Sequence, residues 1–381
     1  MGENLALAGE IIPKWIPYKL YMSGIKKRAP KPMVLTYSVT NMCQSRCKTC
    51  NLWQIYKKNP KLKEQELKLD EIEKIFKSIR HLYFFNISGG EPFLRKDLPE
   101  IVGLACKYLT PGVIHTPTNG LMPKRIEENT RRILDIMIDS KSKAPFTIKP
   151  SFDGLYGEHD RIRGVPGNFR KVMDTIKRLQ ALQKEYSNLH VGLGTVISVF
   201  NYDKIPEIAD FVQKLNVDTY INEIAEERYE LLTVGKGITP DAKKYNKAIE
   251  YFSKKIKEDM RNKRRLARFM LAFRLVYYKL VVDILRTKTQ VIPCYAGVSN
   301  FHMTPYGDIW PCCILGYTKI MGSLRKTGYD FWKVWHSDKA YEIRRSIRNK
   351  NCACPFANQA YNNILMDVPS MMKVIKNLIF N

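Results

Sequence analysis

Two periods of apolar and polar positions alternate along the chain. Met33 to Thr40 is mostly β-branched or aromatic and ends at polar Asn41, which predicts a strand. Leu82 to Ser88, Gly112 to Thr118, Pro145 to Ser151, His190 to Ser198 and Val217 to Ile221 predict five more. Between them the apolar spacing lengthens to that of a helix. Asp70 to Arg80 puts Ile72, Ile75, Phe76 and Ile79 on one face, and Asp97 to Leu109, Lys124 to Ile138, Asn168 to Leu182 and Asp203 to Leu215 follow suit. Strands alternating with helices of this length imply a parallel sheet, closed or partly closed into a barrel. In such barrels the active site forms at the C-terminal ends of the strands.

Three further segments are amphipathic. Arg265 to Arg286 carries Leu266, Phe269, Met270, Phe273, Val276, Tyr277, Leu280 and Ile284 on one helical stripe, with Arg264, Arg265 and Arg268 on its basic side. Ile11 to Met22 and Met371 to Phe380 mix apolar residues with lysines. Such basic stripes suit a membrane interface or a barrel flank. The 381 residues divide naturally into one barrel and a smaller appended unit.

Charge changes the picture. Lysine and arginine number 63 against 37 acids, a net +26, which calls for an anionic partner: phospholipid headgroups, an acidic peptide or nucleic acid. Nine cysteines occur without a positive, then apolar, secretory leader, since Glu3 and Glu10 stand at the start. This predicts a reducing, cytoplasmic setting in which clustered thiols bind metal or do chemistry. No run of 18 uncharged apolar residues exists, so a spanning segment is not expected.

The densest thiol group is Cys43-Gln-Ser-Arg-Cys47-Lys-Thr-Cys50. Thiolates at this spacing wrap a single centre and select zinc or iron–sulfur over harder ions. A structural zinc site needs a fourth ligand, and no cysteine or histidine lies near in sequence before His81. An iron–sulfur cluster with one open iron fits better, with zinc or unligated thiols as alternatives.

The loop, following a strand, resembles the Cys-x3-Cys-x2-Cys motif of the radical S-adenosylmethionine (SAM) superfamily. Thr49 departs from the pattern, which usually has an aromatic residue there. Gly89-Gly90-Glu91-Pro92, at the end of the second predicted strand, is similar to the family segment that contacts the methionine amino group. Ser151-Phe152-Asp153-Gly154 and His159 to Gly164 resemble segments that help hold SAM. The resemblance implies an α/β fold, a partial (β/α)6 TIM-like barrel. It also implies that Cys43, Cys47 and Cys50 carry a catalytic [4Fe–4S] cluster whose open iron binds SAM. Gly89, Gly90, Glu91, Asn119, Ser151, Asp153 and Arg163 are the SAM-binding candidates, with Arg163 on the carboxylate and Ser151 and Asp153 at the ribose or amino-acid end.

A second constellation lies further on. Cys294-x12-Gly307-x4-Cys312 is followed by Cys313 and by Cys352-Ala353-Cys354. It is similar to the opening of the SPASM/twitch extension, but too few thiols follow for two clusters. One auxiliary [4Fe–4S] cluster on Cys294, Cys312, Cys352 and Cys354 is expected, with zinc as the alternative, Cys313 outside it and Cys106 a core residue.

The expected division is an amphipathic segment at 1–30, the radical SAM barrel at 31–240, a basic helical connector at 241–290 and a twitch/SPASM-like domain at 291–381. The resemblance implies reductive cleavage of SAM to a 5′-deoxyadenosyl radical, fed by a donor such as ferredoxin or flavodoxin. That radical would abstract hydrogen from an unactivated C–H bond. The three basic stripes favour a membrane lipid or lipid-linked substrate and a peripheral place on the inner membrane face. A peptide substrate is the second reading and nucleic acid the third. A non-catalytic iron–sulfur or zinc protein is the reading of another class.

Overall fold

The computed structural model describes residues 2–260 and 265–380. Six parallel strands follow the predicted order: β1 (Val34–Ser38), β2 (Phe84–Ser88), β3 (Val113–Thr118), β4 (Phe146–Pro150), β5 (Leu189–Ile197) and β6 (Thr219–Ile224). The sixth lies slightly later than the apolar pattern suggests. Asp218 is spent on its side-chain bond to Val191 N, at 2.7 Å, and ladder pairing with β5 begins at Thr219.

The helices α1 (Gly2–Met22), α2 (Gln54–Lys58), α3 (Leu69–Ile79), α4 (Leu98–Tyr108), α5 (Pro123–Asp139), α6 (Tyr156–Arg163), α7 (Asn168–Leu182) and α8 (Ile205–Lys214) precede or alternate with these strands. Then come α9 (Ala242–Met260), α10 (Arg265–Thr287), α11 (Phe331–Trp335), α12 (Asp338–Arg348), α13 (Ala357–Met366) and α14 (Val368–Phe380). In α3 the predicted face is the buried one: Ile72, Ile75, Phe76 and Ile79 are at most 1% exposed. Burying such side chains contributes about 1.5–3 kcal/mol each.

The C-terminal unit does not stand apart from the barrel. Strand β7 (Asn300–Met303) pairs parallel with β1, β8 (Asp308–Trp310) folds back antiparallel, and β9 (Gly322–Ser323) completes a sheet ordered β6-β5-β4-β3-β2-β1-β7-β8-β9. The barrel is therefore partial, and the appended hairpin extends its first strand. A tight turn joins β7 to β8. Gly307 sits at φ +87°, and Thr304 N donates to Asp308 O at 2.9 Å.

The stripe of α10 turns inward. Phe273, Val276, Tyr277, Leu280 and Ile284 are all buried, in one apolar cluster with residues of α9, α13 and α14. From Phe273 to Ile284 the stripe is therefore covered by protein, whereas Met270 near its start stays exposed; Arg264 lies outside the described residues. Helix α1 is likewise docked: Tyr18 is fully buried, and its hydroxyl donates to Lys31 O at 2.8 Å. No helix among the described residues is long and apolar enough to cross a membrane.

Candidate active site

The C-terminal ends of β1 to β6 surround a cavity of about 230 Å³. Cys43, Cys47 and Cys50 line it together, on the loop that follows β1. That loop is clamped from two sides. Gly90 N donates to Thr40 O at 2.8 Å and Glu91 N to Met42 O at 2.7 Å, while Arg46 N and Lys48 N donate to Arg163 O and Ile162 O at 3.1 and 2.9 Å.

Glycine is needed on both sides for the same reason. A Cβ on Gly90 would collide with the Met42 carbonyl, and one on Gly164, held at φ +67°, with that of Arg46. The close approach that Gly90 permits is therefore first an approach to the cysteine loop's own backbone.

Burial pushes the Cys43 thiol up to about 11, with neighbouring Glu91 and Cys47 adding to it, and raises Cys47 and Cys50 as well. Left to themselves these thiols stay protonated; a bound metal centre is what draws off their protons. Among the described residues no other cysteine and no histidine lines the cavity. Three donors converging there, with unpartnered Arg163 Nε close by, suit a three-thiolate cluster with one open position and a polar ligand.

Gly89, Gly90, Asn119, Ser151 and Arg163 also line the cavity. Asn119 Nδ2 lies 3.7 Å from Cys43 Sγ and 3.2 Å from Gln44 Oε1. Glu91 and Asp153 stand behind the wall, their carboxylates committed to protein. Glu91 is fully buried and accepts from Asn119 N at 2.7 Å, Thr118 Oγ1 at 2.9 Å and Phe93 N at 3.2 Å. Burial outweighs those bonds and pushes its carboxyl up to about 7. Asp153 accepts from Arg163 Nη1 at 3.0 Å and Val196 N at 2.8 Å, so it aims the guanidinium while leaving Arg163 Nε free. These two acids orient the residues that face the cavity.

The far wall carries groups the sequence reading missed. Glu226 and Arg228, on the loop after β6, both line the cavity. Neither Glu226 oxygen has a hydrogen-bond partner, and the Arg228 Nε to Glu226 Oε2 separation is 3.6 Å. Burial, offset in part by Arg228, pushes the Glu226 carboxyl up to about 8. No motif marks these residues; only their position after the sixth strand pointed to the site.

The later cysteines also gather. Cys294 and Cys312 are buried away from water, and Cys352 and Cys354 are half-buried. Burial raises all four thiols, Cys294 to about 12, and each of Cys294, Cys312 and Cys354 also feels charge from others of the group. Cys313 points to a different set, with Sγ 3.0 Å from His302 Nδ1 and Glu230 completing a buried trio. Arg228 reaches the same trio, 3.6 Å from Glu230 Oε2. Cys106 belongs to the apolar core.

Residues 37–212 match the model of the radical SAM superfamily, and residues 294–355 that of the SPASM iron–sulfur cluster-binding domain. The chain belongs to the radical SAM superfamily and carries a SPASM-type domain, which gives it SAM with a [4Fe–4S] cluster and an auxiliary cluster as cofactors.

It is 24% identical over 345 residues to the antilisterial bacteriocin subtilosin biosynthesis protein AlbA of Bacillus subtilis, 86% of this chain and 66% of that protein. It is also 24% identical over 181 residues to the sporulation killing factor maturation protein SkfB of the same organism, 47% of this chain and 39% of that protein. The chain thus spans less than two thirds of the length of these curated relatives. The fold is shared with Streptococcus suis SuiB bound to S-adenosylmethionine, at TM-score 0.59 and 17% identity, covering 90% of this chain and 72% of that one. It is shared too with anSMEcpe holding AdoMet and the Cp18Cys peptide, at TM-score 0.56 and 16% identity, covering 91% and 97%.

Proposed function

We propose that this enzyme modifies a peptide or protein by radical SAM chemistry. The observation that carries the reading is the alignment to AlbA, which runs through 86% of the chain and belongs to a protein named for bacteriocin biosynthesis. A relative named for maturation of a sporulation killing factor and a peptide-bound structure of the same fold point the same way. The lipid reading lacks such support, and the helix that most favoured it spends its stripe on the protein's own core.

In this reading Cys43, Cys47 and Cys50 hold the catalytic cluster, and Gly89, Gly90, Asn119, Ser151 and Arg163 frame SAM. Arg163, aimed by Asp153, offers its free Nε to the SAM carboxylate as a charge-assisted donor. Glu91 keeps Thr118 and Asn119 in place from behind. When bound, the cluster and SAM supply one-electron cleavage and hydrogen-atom abstraction from an unactivated C–H bond. A small redox protein such as ferredoxin or flavodoxin supplies the electron. Cys294, Cys312, Cys352 and Cys354 hold the auxiliary cluster, and Cys313 stays outside it. The buried walls keep water from the reacting centre.

The test is anaerobic reconstitution, then incubation with SAM, dithionite and a defined pool of synthetic peptides. Formation of 5′-deoxyadenosine and a mass change in some of the peptides are expected, and both should vanish in Cys47→Ala. Unchanged 5′-deoxyadenosine formation in that variant would sink the cluster assignment. An unmodified pool alongside a modified lipid extract would remove the peptide reading.

A further inference from the structure

Resting on the peptide reading, we infer that the mouth of the cavity is a docking surface for an acidic peptide segment bearing aromatic or aliphatic side chains. On one side stands the loop after β6, residues 225–237. Tyr229, Leu232 and Val234 are exposed on it at 50, 39 and 49%, while the adjacent Leu231 turns in to line the cavity. Three large apolar side chains on one short loop, at the entrance to a reaction site, are unusual for a surface that faces only water.

The loop is rigidly held. The Glu227 carboxylate accepts from Gly235 N and Gly237 N at 2.6 and 2.7 Å, and Thr233 N donates to Arg228 O at 3.1 Å. It is also fastened to the cysteine loop, since Asn51 N donates to Leu231 O at 2.9 Å and Asn51 Nδ2 to Leu232 O at 3.0 Å. A surface fixed in advance loses little entropy when it binds.

The facing rim is basic and aromatic. Trp53 lines the cavity, and Arg46 and Lys57 lie over its ring at 4.4 and 5.7 Å. Lys48 lies over Phe200 at 5.2 Å. All three cations are exposed. The nearby acids are already engaged: Glu227 by the loop amides, and Glu158 by Arg161 at 2.5 Å. Cations that form no ion pair among the described residues, beside exposed apolar side chains, are complementary to an extended peptide with carboxylates and apolar groups interleaved. A single-stranded nucleic acid would need a run of free aromatic faces to stack on, and one exposed tyrosine, Tyr229, does not supply it. Here the Trp53 ring already carries two cations.

The test uses the cluster-loaded enzyme and a fluorescein-labelled random Glu–Tyr copolymer, followed by anaerobic fluorescence anisotropy. The copolymer should bind more tightly than a Lys–Tyr copolymer. Lys48→Glu with Lys57→Glu should weaken it on the order of tenfold, and Leu232→Ser with Val234→Ser by about threefold. Lys333→Glu with Lys339→Glu reverses the same charge on α11 and α12 and should change little. Those helices sit at the opposite end of the barrel, where Trp335 Nε1 donates to Pro30 O ahead of β1.

Where a reversal variant fails to fold, Lys48→Gln with Lys57→Gln serves, with a smaller loss expected. Equal losses in the α11–α12 reversal, no loss from the apolar pair, or displacement by a uridine dodecamer with the same rim dependence would overturn the inference. Rim-independent binding with a modified peptide pool removes the docking surface and keeps the peptide reading. An unmodified pool with rim-dependent binding does the reverse.

Discussion

At the scale of single residues, Glu226 departs from ordinary protein chemistry in having neither carboxylate oxygen hydrogen-bonded. A carboxylate buried without a hydrogen-bond partner is costly, and such groups concentrate at functional sites. Its folded value of about 8 lies above the ordinary 4.5, as does that of Glu91 at about 7. Groups raised in this way contribute stability that is complete below about 4.5 and is lost as pH rises through the folded values. Between about pH 4.5 and 7 both acids lower stability with rising pH, and between about 7 and 8 mainly Glu226 does, by at most about 1.4 kcal/mol per pH unit. Anaerobic melting from pH 5 to 9 should therefore fall with pH, and Glu226→Gln should flatten the stretch from 7 to 8. An unaltered slope in that variant would mean that Glu226 is ionised throughout.

At the scale of elements, the cysteine loop owes its shape to the ends of β2 and α6 more than to its own residues. Gly164 follows α6 at φ +67° against the Arg46 carbonyl. Alanine there adds backbone strain and a collision, costing on the order of 3 kcal/mol. Gly164→Ala should lower the melting temperature and reduce iron at the first cluster while sparing the second. Equal iron in variant and parent would show that the loop tolerates a shift. A similar dependence governs α10, whose helical stripe was plain in the sequence. A helical period says that a face is apolar, but not what covers it.

At the scale of the whole molecule, the two cluster regions are parts of one sheet, because β7 pairs with β1. A second tie runs from α3, where Glu71 meets Arg325 at 2.8 Å and the Tyr329 hydroxyl at 2.7 Å. The Arg325 hydrogen bond holds the Glu71 carboxyl down to about 2. Two cubane clusters predict about eight irons per chain. Cys313→Ala should keep that complement, since its thiol faces His302 and Glu230. Loss of half the iron in this variant would exchange Cys313 for Cys312 as a ligand. Four irons with one zinc would make the second site structural.

Six strands, their order and the three cysteines that line the cavity were legible in the sequence because each rests on local spacing: a period of two or of 3.6, and thiols close enough in the chain to share one centre. Gly89 and Gly90 were legible as a site but not in their packing role, since the carbonyls they accommodate belong to a loop well before them. Glu226, Arg228, Glu230 and His302 carry no local signature, and only the folding of β6 and β7 beside β5 and β1 brings them to the cavity and to Cys313. The inward turn of α10 and the exposure of Tyr229, Leu232 and Val234 follow equally from which surfaces meet. Local spacing determines elements and candidate ligand sets; burial, unpartnered polar groups and free surface depend on contacts between residues far apart in the chain, and those were decided by the tertiary structure.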